Sequence, residues 1–591
     1  MRRSHEEDCP VSRAASVVLA MVIVAGLIQL VLRMRELQVN DAADYGLASA
    51  QQSVRRVQTA GRRGRILDRR GTALADNVRR LSIVCQPERF QRRTWESTVS
   101  EIEQAVTNAA AVLGRASSLS EAEIRRHVSH VLALPLVVWR DIGDGDLARF
   151  AEHARELEGF ALEESEERVY PHGSVGGHLL GYVGRDRGHA VAGDEKFNFF
   201  ETELRGRSGV EYFYDGFLRG VSGERKVLVD ARGFAIRDWT VVASQSGPDL
   251  QLTIDLALQE AAERELAGVR GACAVIDPRN GDVLALASAP GINPNDFVPT
   301  LRTGFYRQLV DDPAQPLLNR ATGGCYAPGS TFKPVTALAG LKAGYPADET
   351  CVCSGIFEFA GLRLHCANRW GHGELDLRHA LMKSCNPFFC NLGLDIGTNA
   401  LCSAARAFGL GSRTGLDFGV DEKGVVPDAD WKRRKYGEKW FQGDLAQMSI
   451  GQGMLLVTPL QMALLAGALG TGYRVTPHLK LGAPTERQPL PFSAEHLAIV
   501  REGMRMVVAG DGDARGTGWR GGAEVQVAVA GKTGTAEIGR GATRRKNAWF
   551  IAYAPAEQPS IAVAMIVENG EGGGVTAAPK VAAILRRAFK R

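Results

Sequence analysis

Charge of one dominant sign is missing from this chain. Its 591 residues carry 71 basic against 67 acidic side chains, a net +4, which gives no argument for a nucleic-acid partner. Long hydrophobic runs are scarce. With 45% hydrophobic and 23% charged residues, the composition excludes a polytopic membrane protein, a collagen-like chain and a mostly disordered one. Cysteine is sparse as well. Ten cysteines are too dilute for a disulfide scaffold, yet four of them, Cys351, Cys353, Cys366 and Cys385, crowd into one short stretch. No phosphate-loop spacing, internal repeat or low-complexity tract is present. At roughly 150 residues per domain the length suggests two to four domains.

The N-terminal run from Ala14 to Leu32 carries no charge and is bounded by Arg13 and Arg33. It is long enough to cross a bilayer as a helix. It ends in Arg33-Met34-Arg35-Glu36, which offers no small-residue cleavage site, so an uncleaved anchor is expected rather than a signal peptide. Basic residues flank it on both sides and leave its orientation undecided. A polar helical linker is expected over 36–60. A basic segment, Arg62 to Gly71, reads as a short strand and a Gly turn. Helical patterns follow over 97–135, then short strands in a Gly-rich stretch over 168–245.

The texture changes at Leu250. Asp255 is placed to cap a helix over Leu256–Leu266, and Ala272–Ile276 pairs with Val283–Ser288 around an Asp277–Asp282 turn. Helices dominate 330–510. Strands return at Val525–Ala530, Ala548–Tyr553 and Ile561–Val567, and a helix over Pro579–Phe589 closes the chain. Strands, helices, strands and a final helix predict an α+β domain built on one antiparallel sheet flanked by helices.

Three motifs fall in order within this half. Ser330-Thr331-Phe332-Lys333 follows a Pro328-Gly329 turn and is expected to open a helix running toward Gly344. Residues three apart share a helix face, so Lys333 lies beside Ser330, and a neutral amine there can activate the hydroxyl. Alone, the pair is equally a capping serine and a solvated lysine. Ser384-Cys385-Asn386 follows a helical run over Leu375–Lys383. Its outer side chains share one side, where Ser384 can relay a proton and Asn386 can bind an amide; alone it is an Asx turn. Lys532-Thr533-Gly534-Thr535 is expected just after a strand. There Gly534 permits close backbone approach, and a lysine and hydroxyls can meet a carboxylate.

Ser-x-x-Lys, a Ser-x-Asn element and Lys-Thr-Gly together are the known signature of penicillin-binding proteins and class A β-lactamases. Arg63–Gly71, Gly209-Val210-Glu211-Tyr212, Pro316–Ala321, Ser449–Gly453 and Asn547–Phe550 extend the likeness over most of the chain. The chain resembles a class B penicillin-binding protein, most like the elongation type on the stretch Trp431-Lys432 and Trp440–Asp444. Asn386 departs from the Asp of some elongation-type members. The resemblance implies a cytoplasmic tail (1–13), a transmembrane anchor (14–32), an elongated mixed α/β periplasmic pedestal (33–245) and a transpeptidase domain (246–591). It implies a single-pass protein of the cytoplasmic (inner) membrane with its bulk periplasmic.

The activity implied is serine-type D-Ala-D-Ala transpeptidation, with related carboxypeptidase chemistry. The substrates would be lipid-linked peptidoglycan and its stem peptides, and the inhibitors β-lactams. The implied protein partners are an elongation complex and a glycan polymerase of the shape-elongation-division (SEDS) family. Ser330 would be the nucleophile, Lys333 its base, Lys532 a neighbour that depresses Lys333, and Ser384 the proton relay. Asn386, Thr533 and Thr535 would bind substrate, and no cofactor would be needed for catalysis. Backbone N–H groups of Ser330 and Thr535 would form the oxyanion hole, worth about 3 kcal/mol per donor. Two rivals remain: a β-lactamase-like hydrolase, disfavoured by the large segment before Leu250, and a slow β-lactam-binding sensor or scaffold.

The cysteine cluster stands apart from this chemistry. Cys353, Cys366, His372 and Cys385 would make a closed tetrahedral zinc site that pins the Ser384–Asn386 loop from behind. The spacings match no zinc-finger pattern. A Cys353–Cys366 disulfide across a Gly355–Leu364 hairpin, or buried free thiols, are the alternatives, with Cys351 as a spare.

Overall fold

A computed structural model describes residues 13–43, 53–117, 119–186, 198–200, 203–298, 304–539 and 544–590. The expected tail up to residue 12 and the 44–52 part of the expected linker lie outside these. Helix α1, Arg13–Arg35, has 23 residues, a rise of about 34 Å at 1.5 Å each and enough to cross a hydrocarbon core. None of its apolar span is buried against protein. A helix that is apolar on every face needs lipid around it, which fits a single-pass anchor.

The expected helical linker does not continue to residue 60. Val54–Thr59 forms strand β1, because it pairs residue by residue with Gly223–Val229 and buries Val57. Next, β2 (Ile66–Leu67) turns at Gly71, where φ is +87°, into β3 (Ala73–Cys85). Helices α2 (Trp95–Leu113) and α3 (Glu121–His130) each start on a capping box, at Thr94 and Ser120, and pack over β4 (Leu136–Trp139). The long β5 (Phe160–Val169) pairs with β3.

Within the basic Arg62–Gly71 segment Arg63 is buried. Arg63 and Arg168 both grip the fully buried Glu211, each at 2.7 Å, and Arg63 also reaches Asp215 at 2.7 Å. This buried ion network ties the anchor-proximal chain to the Gly209–Phe213 turn. Strand Leu250–Gln251 pairs in parallel with β2 and carries the chain into the second half.

The C-terminal half is organised by a five-stranded sheet. Asp255 caps helix α4 (Leu256–Glu265), its side chain accepting from Ala257 N at 3.0 Å. The strands are β6 (Gly271–Ile276), β7 (Val283–Ala289), β8 (Ala530–Ile538), β9 (Arg545–Ala554) and β10 (Ile561–Val567), in spatial order β7-β6-β10-β9-β8. Every pairing is antiparallel. Every residue of β6, β7 and β10 is buried, because both faces are covered. One cover is Pro459–Thr471, a helix buried on all sides but its last residue; the other is α4 with Ala578–Phe589. Each aliphatic side chain so buried contributes about 1.5–3 kcal/mol.

One strand is misplaced in the sequence reading. The alternating Val525, Val527 and Val529 suggest a strand, but they pack as loop residues against the helix-covered face. The strand begins at Ala530 and contains the Lys-Thr-Gly motif, because Ala530–Ile538 pairs residue by residue with Arg545–Ala554. It is an edge strand, free on one side.

Candidate active site

Ser330 sits where two glycines let backbones touch. Gly329 has φ +55°, and its N–H donates to Gly451 O at 2.8 Å. The chain then makes a 3-10 turn, Gly329–Phe332, before the α-helix Lys333–Lys342, so Ser330 precedes the α-helix rather than opening it. Residues three apart eclipse in a 3-10 turn, which still sets Lys333 behind Ser330. The turn lies on β8 at Gly534. A Cβ there would stand 2.9 Å from Pro328 O and 2.9 Å from Thr331 Cγ2.

Lys333 is wholly buried. Its Nζ donates to Ser384 O at 2.6 Å, to Asn386 Oδ1 at 2.7 Å and to Ser384 Oγ at 3.4 Å. The Ser384 loop ends a helix, Leu377–Met382; the expected start at Leu375 is instead the end of a short strand. Ser384 itself has φ +56°. It occupies the left-handed position after the helix, with Cys385 N bonded to Ala380 O at 3.0 Å, where glycine is usual. A non-glycine held there costs about 1–3 kcal/mol. What the loop gains is its hydroxyl, which accepts from Lys532 Nζ at 2.9 Å. Asn386 Nδ2 donates to His365 O at 2.8 Å and so ties the loop to the hairpin of Ile356–Phe359 and Leu362–His365.

Lys532 is also wholly buried, and its Nζ donates to Thr533 O at 3.0 Å. The two amines do not act on each other as expected. Burial lowers Lys333 to about 8, and nearby Cys385 and Cys366 oppose the shift. Lys532 goes well below its ordinary value, first through burial and then through the charge of Lys333. The repulsion falls on Lys532, although both amines are wholly buried.

Ser330, Ser384, Asn386, Thr533 and Thr535 line one cleft of about 1810 Å³, and Lys333 and Lys532 lie buried behind it, both bonded to Ser384. Two further contacts had no signal in sequence spacing. Thr517 shares a hydrogen bond with Thr533 at 2.9 Å, and Gln452 donates to Thr535 O at 3.2 Å. A second cleft of about 860 Å³, between α4 and Ala289–Gly291, contains none of the motif residues.

Behind the loop, the ligand atoms of Cys353, Cys366, His372 and Cys385 all lie within 4.8 Å of one another. His372 Nδ1 stands 3.4 Å from Cys366 Sγ and 3.7 Å from Cys353 Sγ. All three cysteines are buried free thiols, so the alternative Cys353–Cys366 disulfide is not formed. Cys351 stays outside, with Asn391 Nδ2 at 3.8 Å from its Sγ. The hydrogen bond from Cys385 holds the Cys366 thiol well below its ordinary value.

The family of the penicillin binding protein transpeptidase domain matches residues 271–586, and that of the penicillin-binding protein dimerisation domain matches 58–252. The chain is 32% identical to peptidoglycan D,D-transpeptidase MrdA of Escherichia coli (strain K12), over 98% of this chain and 93% of that one. Its fold matches the complex of penicillin-binding protein 2 (PBP2) with MreC from Helicobacter pylori, with a TM-score of 0.76 at 26% identity, over 91% of this chain and 99% of that one. It also matches a chain of a peptidoglycan synthase complex that coordinates polymerization and crosslinking, with a TM-score of 0.73 at 28% identity, over 97% and 98%. With both domain families matched in order and a relative aligned nearly end to end, the chain belongs to the class B penicillin-binding proteins and is most similar to those of the PBP2 type.

Proposed function

We propose that this chain cross-links peptidoglycan during elongation by serine acyl transfer at Ser330. The observation that carries the reading is the convergence of three distant motifs on one cleft through Lys333, Ser384 and Lys532. Ser330 Oγ attacks the carbonyl of the penultimate D-Ala, and its proton passes to Lys333 Nζ. Backbone N–H groups of Ser330 and Thr535 face the developing oxyanion. The C–N bond to the terminal D-Ala breaks, and the leaving amine takes its proton through Ser384, which is bonded to Lys532. Thr533 and Thr535 hold the terminal carboxylate, and Asn386 holds the peptide amide. An amine of a neighbouring stem peptide then attacks the ester, loses a proton and restores Ser330. Water in place of that amine gives the carboxypeptidase reaction. A β-lactam acylates the same serine.

The pedestal over 33–245 sets the height of this site above the membrane, and the bulk of the chain from the anchor onward is periplasmic. Relatives solved with MreC and within a polymerizing and crosslinking synthase complex support partners of those kinds, a SEDS-family glycan polymerase among them. No cofactor enters the acyl transfer. Three thiols and an imidazole within 4.8 Å suit a closed tetrahedral zinc site, with Cys353, Cys366, His372 and Cys385 as ligands and a structural role. The test is labelled penicillin on the full chain. Wild type forms a covalent adduct and releases D-Ala from a D-Ala-D-Ala stem peptide, and Ser330→Ala does neither. An adduct in Ser330→Ala overturns the assignment.

A further inference from the structure

Strand β8 fixes the direction in which a stem peptide must lie. Its residues are buried from Ala530 to Gly534 and exposed at Glu537 and Ile538, so the cleft is closed at the Lys532 end and opens past Thr535. On the reading above, the terminal carboxylate sits at Thr533 and Thr535. The rest of the peptide therefore runs antiparallel along the free edge, toward Ile538 and out. At about 3.4 Å per residue, the residues just before D-Ala-D-Ala reach the end of the strand within about 10 Å.

Two walls meet them there. The hairpin tied to Asn386, with the turn after it, brings Arg363 and Arg369 to the cleft; the β8–β9 hairpin brings Arg544, Arg545 and Lys546. Glu537 and Glu571 are the carboxylates of the lining. Two of the five cations are already engaged, Arg363 by Glu358 at 2.6 Å and Arg544 by Glu537. Arg369, Arg545 and Lys546 have no ion-pair partner among the described residues, although Lys546 stands opposite Glu537 in the strand register. The Arg369 turn is held in place. Cys366 N donates to Gly355 O at 2.9 Å, and Asn368 Oδ1 accepts from Trp370 N at 3.1 Å. Guanidinium groups that line one cleft without an ion-pair partner suit planar acceptors such as carboxylates.

We propose that Arg369 and Arg545 form a carboxylate subsite that selects stem peptides whose acidic residues upstream of D-Ala-D-Ala are free rather than amidated. This rests on the transpeptidase reading and adds to it the charge state of the substrate. A γ-linked acidic residue and a diamino acid with two carboxyl groups each leave such a carboxylate, and amidation removes its charge while keeping its shape.

The experiment uses the full chain in detergent and two soluble pentapeptides ending in D-Ala-D-Ala, identical except that the carboxylates of residues two and three are free in one and amidated in the other. D-Ala release gives kcat/KM for each. Wild type should favour the free form by about tenfold or more, as expected for charge-assisted pairing. Arg369→Gln/Arg545→Gln should reduce that ratio to about threefold or less, while acylation by a small penicillin stays at the wild-type rate. Arg545→Gln alone, at an exposed strand end, should give an intermediate ratio and guards against a folding defect in the double variant. Equal turnover of the two peptides by wild type, or an unchanged ratio in the double variant, overturns the subsite. A wild-type chain that acylates with penicillin but releases D-Ala from neither peptide overturns the transpeptidase reading, and the subsite with it.

Discussion

Lys333 offers a quantitative test of the proposed base. Burial lowers its amine from 10.5 to about 8. At pH 7 a group of pKa about 8 is neutral in about one molecule in ten, whereas an ordinary lysine is neutral in about one in three thousand. The enclosure therefore raises the supply of base by about 300-fold without further chemistry. The sign is fixed by the species required. Acylation needs the neutral amine, so its rate should rise about tenfold per pH unit below about 8 and level off above it. Lys532 is pushed well below its ordinary range by burial and by the charge of Lys333. The same shift makes folding less favourable as pH falls from 10.5 to about 8, because the folded site resists the proton. The assay is the acylation rate of the full chain with fluorescent penicillin between pH 6 and 10. Lys333→Arg, which cannot deprotonate, should lose about a hundredfold or more. A flat profile from pH 6 to 9, or wild-type acylation in Lys333→Arg, refutes the argument.

Much of this architecture can be read without coordinates, and the gaps have physical causes. The Asp255 cap, the Asp277–Asp282 turn and the apolar run of Ile561–Val567 are local signals, and each marks an element of the central sheet or of a helix that covers it. Where two local patterns competed, tertiary pairing decided. Val525, Val527 and Val529 alternate as a strand should, but the adjoining Lys532–Thr535 segment wins the edge position because Gly534 lets it lie under the Ser330 turn. Val54–Thr59 is polar enough to pass for a linker and becomes a strand because Gly223–Val229 and Asn198–Phe200, both remote in sequence, pair with it. The motif residues announce themselves by type and spacing. Their couplings do not: nothing in the chain order puts Thr517 beside Thr533, or sends the repulsion between the lysines onto Lys532. The left-handed Ser384 is likewise invisible in sequence, where glycine would be the expected signal.

Other consequences can be checked directly. Gly534→Val places its Cβ against Pro328 O and should cost about 1–3 kcal/mol in urea unfolding and slow penicillin acylation; unchanged values would mean the turn does not rest on the strand. If the thiol cluster holds zinc, purified protein carries about one equivalent, and His372→Ala removes it and lowers Tm by about 4 °C or more; metal-free protein of the same Tm excludes the site. Asn386→Ala removes one acceptor of Lys333 and the tie to His365 O, and acylation should fall about tenfold or more by the same fluorescent assay. The last prediction concerns a charge beneath the nucleophile. Glu568 accepts from Arg320 Nε at 2.9 Å, from Tyr326 Oη at 2.9 Å and from Arg270 Nε at 2.8 Å. Arg320 is fully buried, and its other nitrogens already serve Ala314 O and Gln315 O. Tyr326 is bridged through its backbone to Val457 and leads into the Ser330 turn. Glu568→Ala therefore strands a buried guanidinium and should cost about 3–5 kcal/mol. Glu568→Gln keeps an acceptor for Tyr326 but not the charge, so it should destabilise less and hold the turn better. Urea unfolding paired with penicillin acylation separates the two variants. If both lose less than about 1 kcal/mol and acylate like wild type, the cluster is not what supports the Ser330 turn.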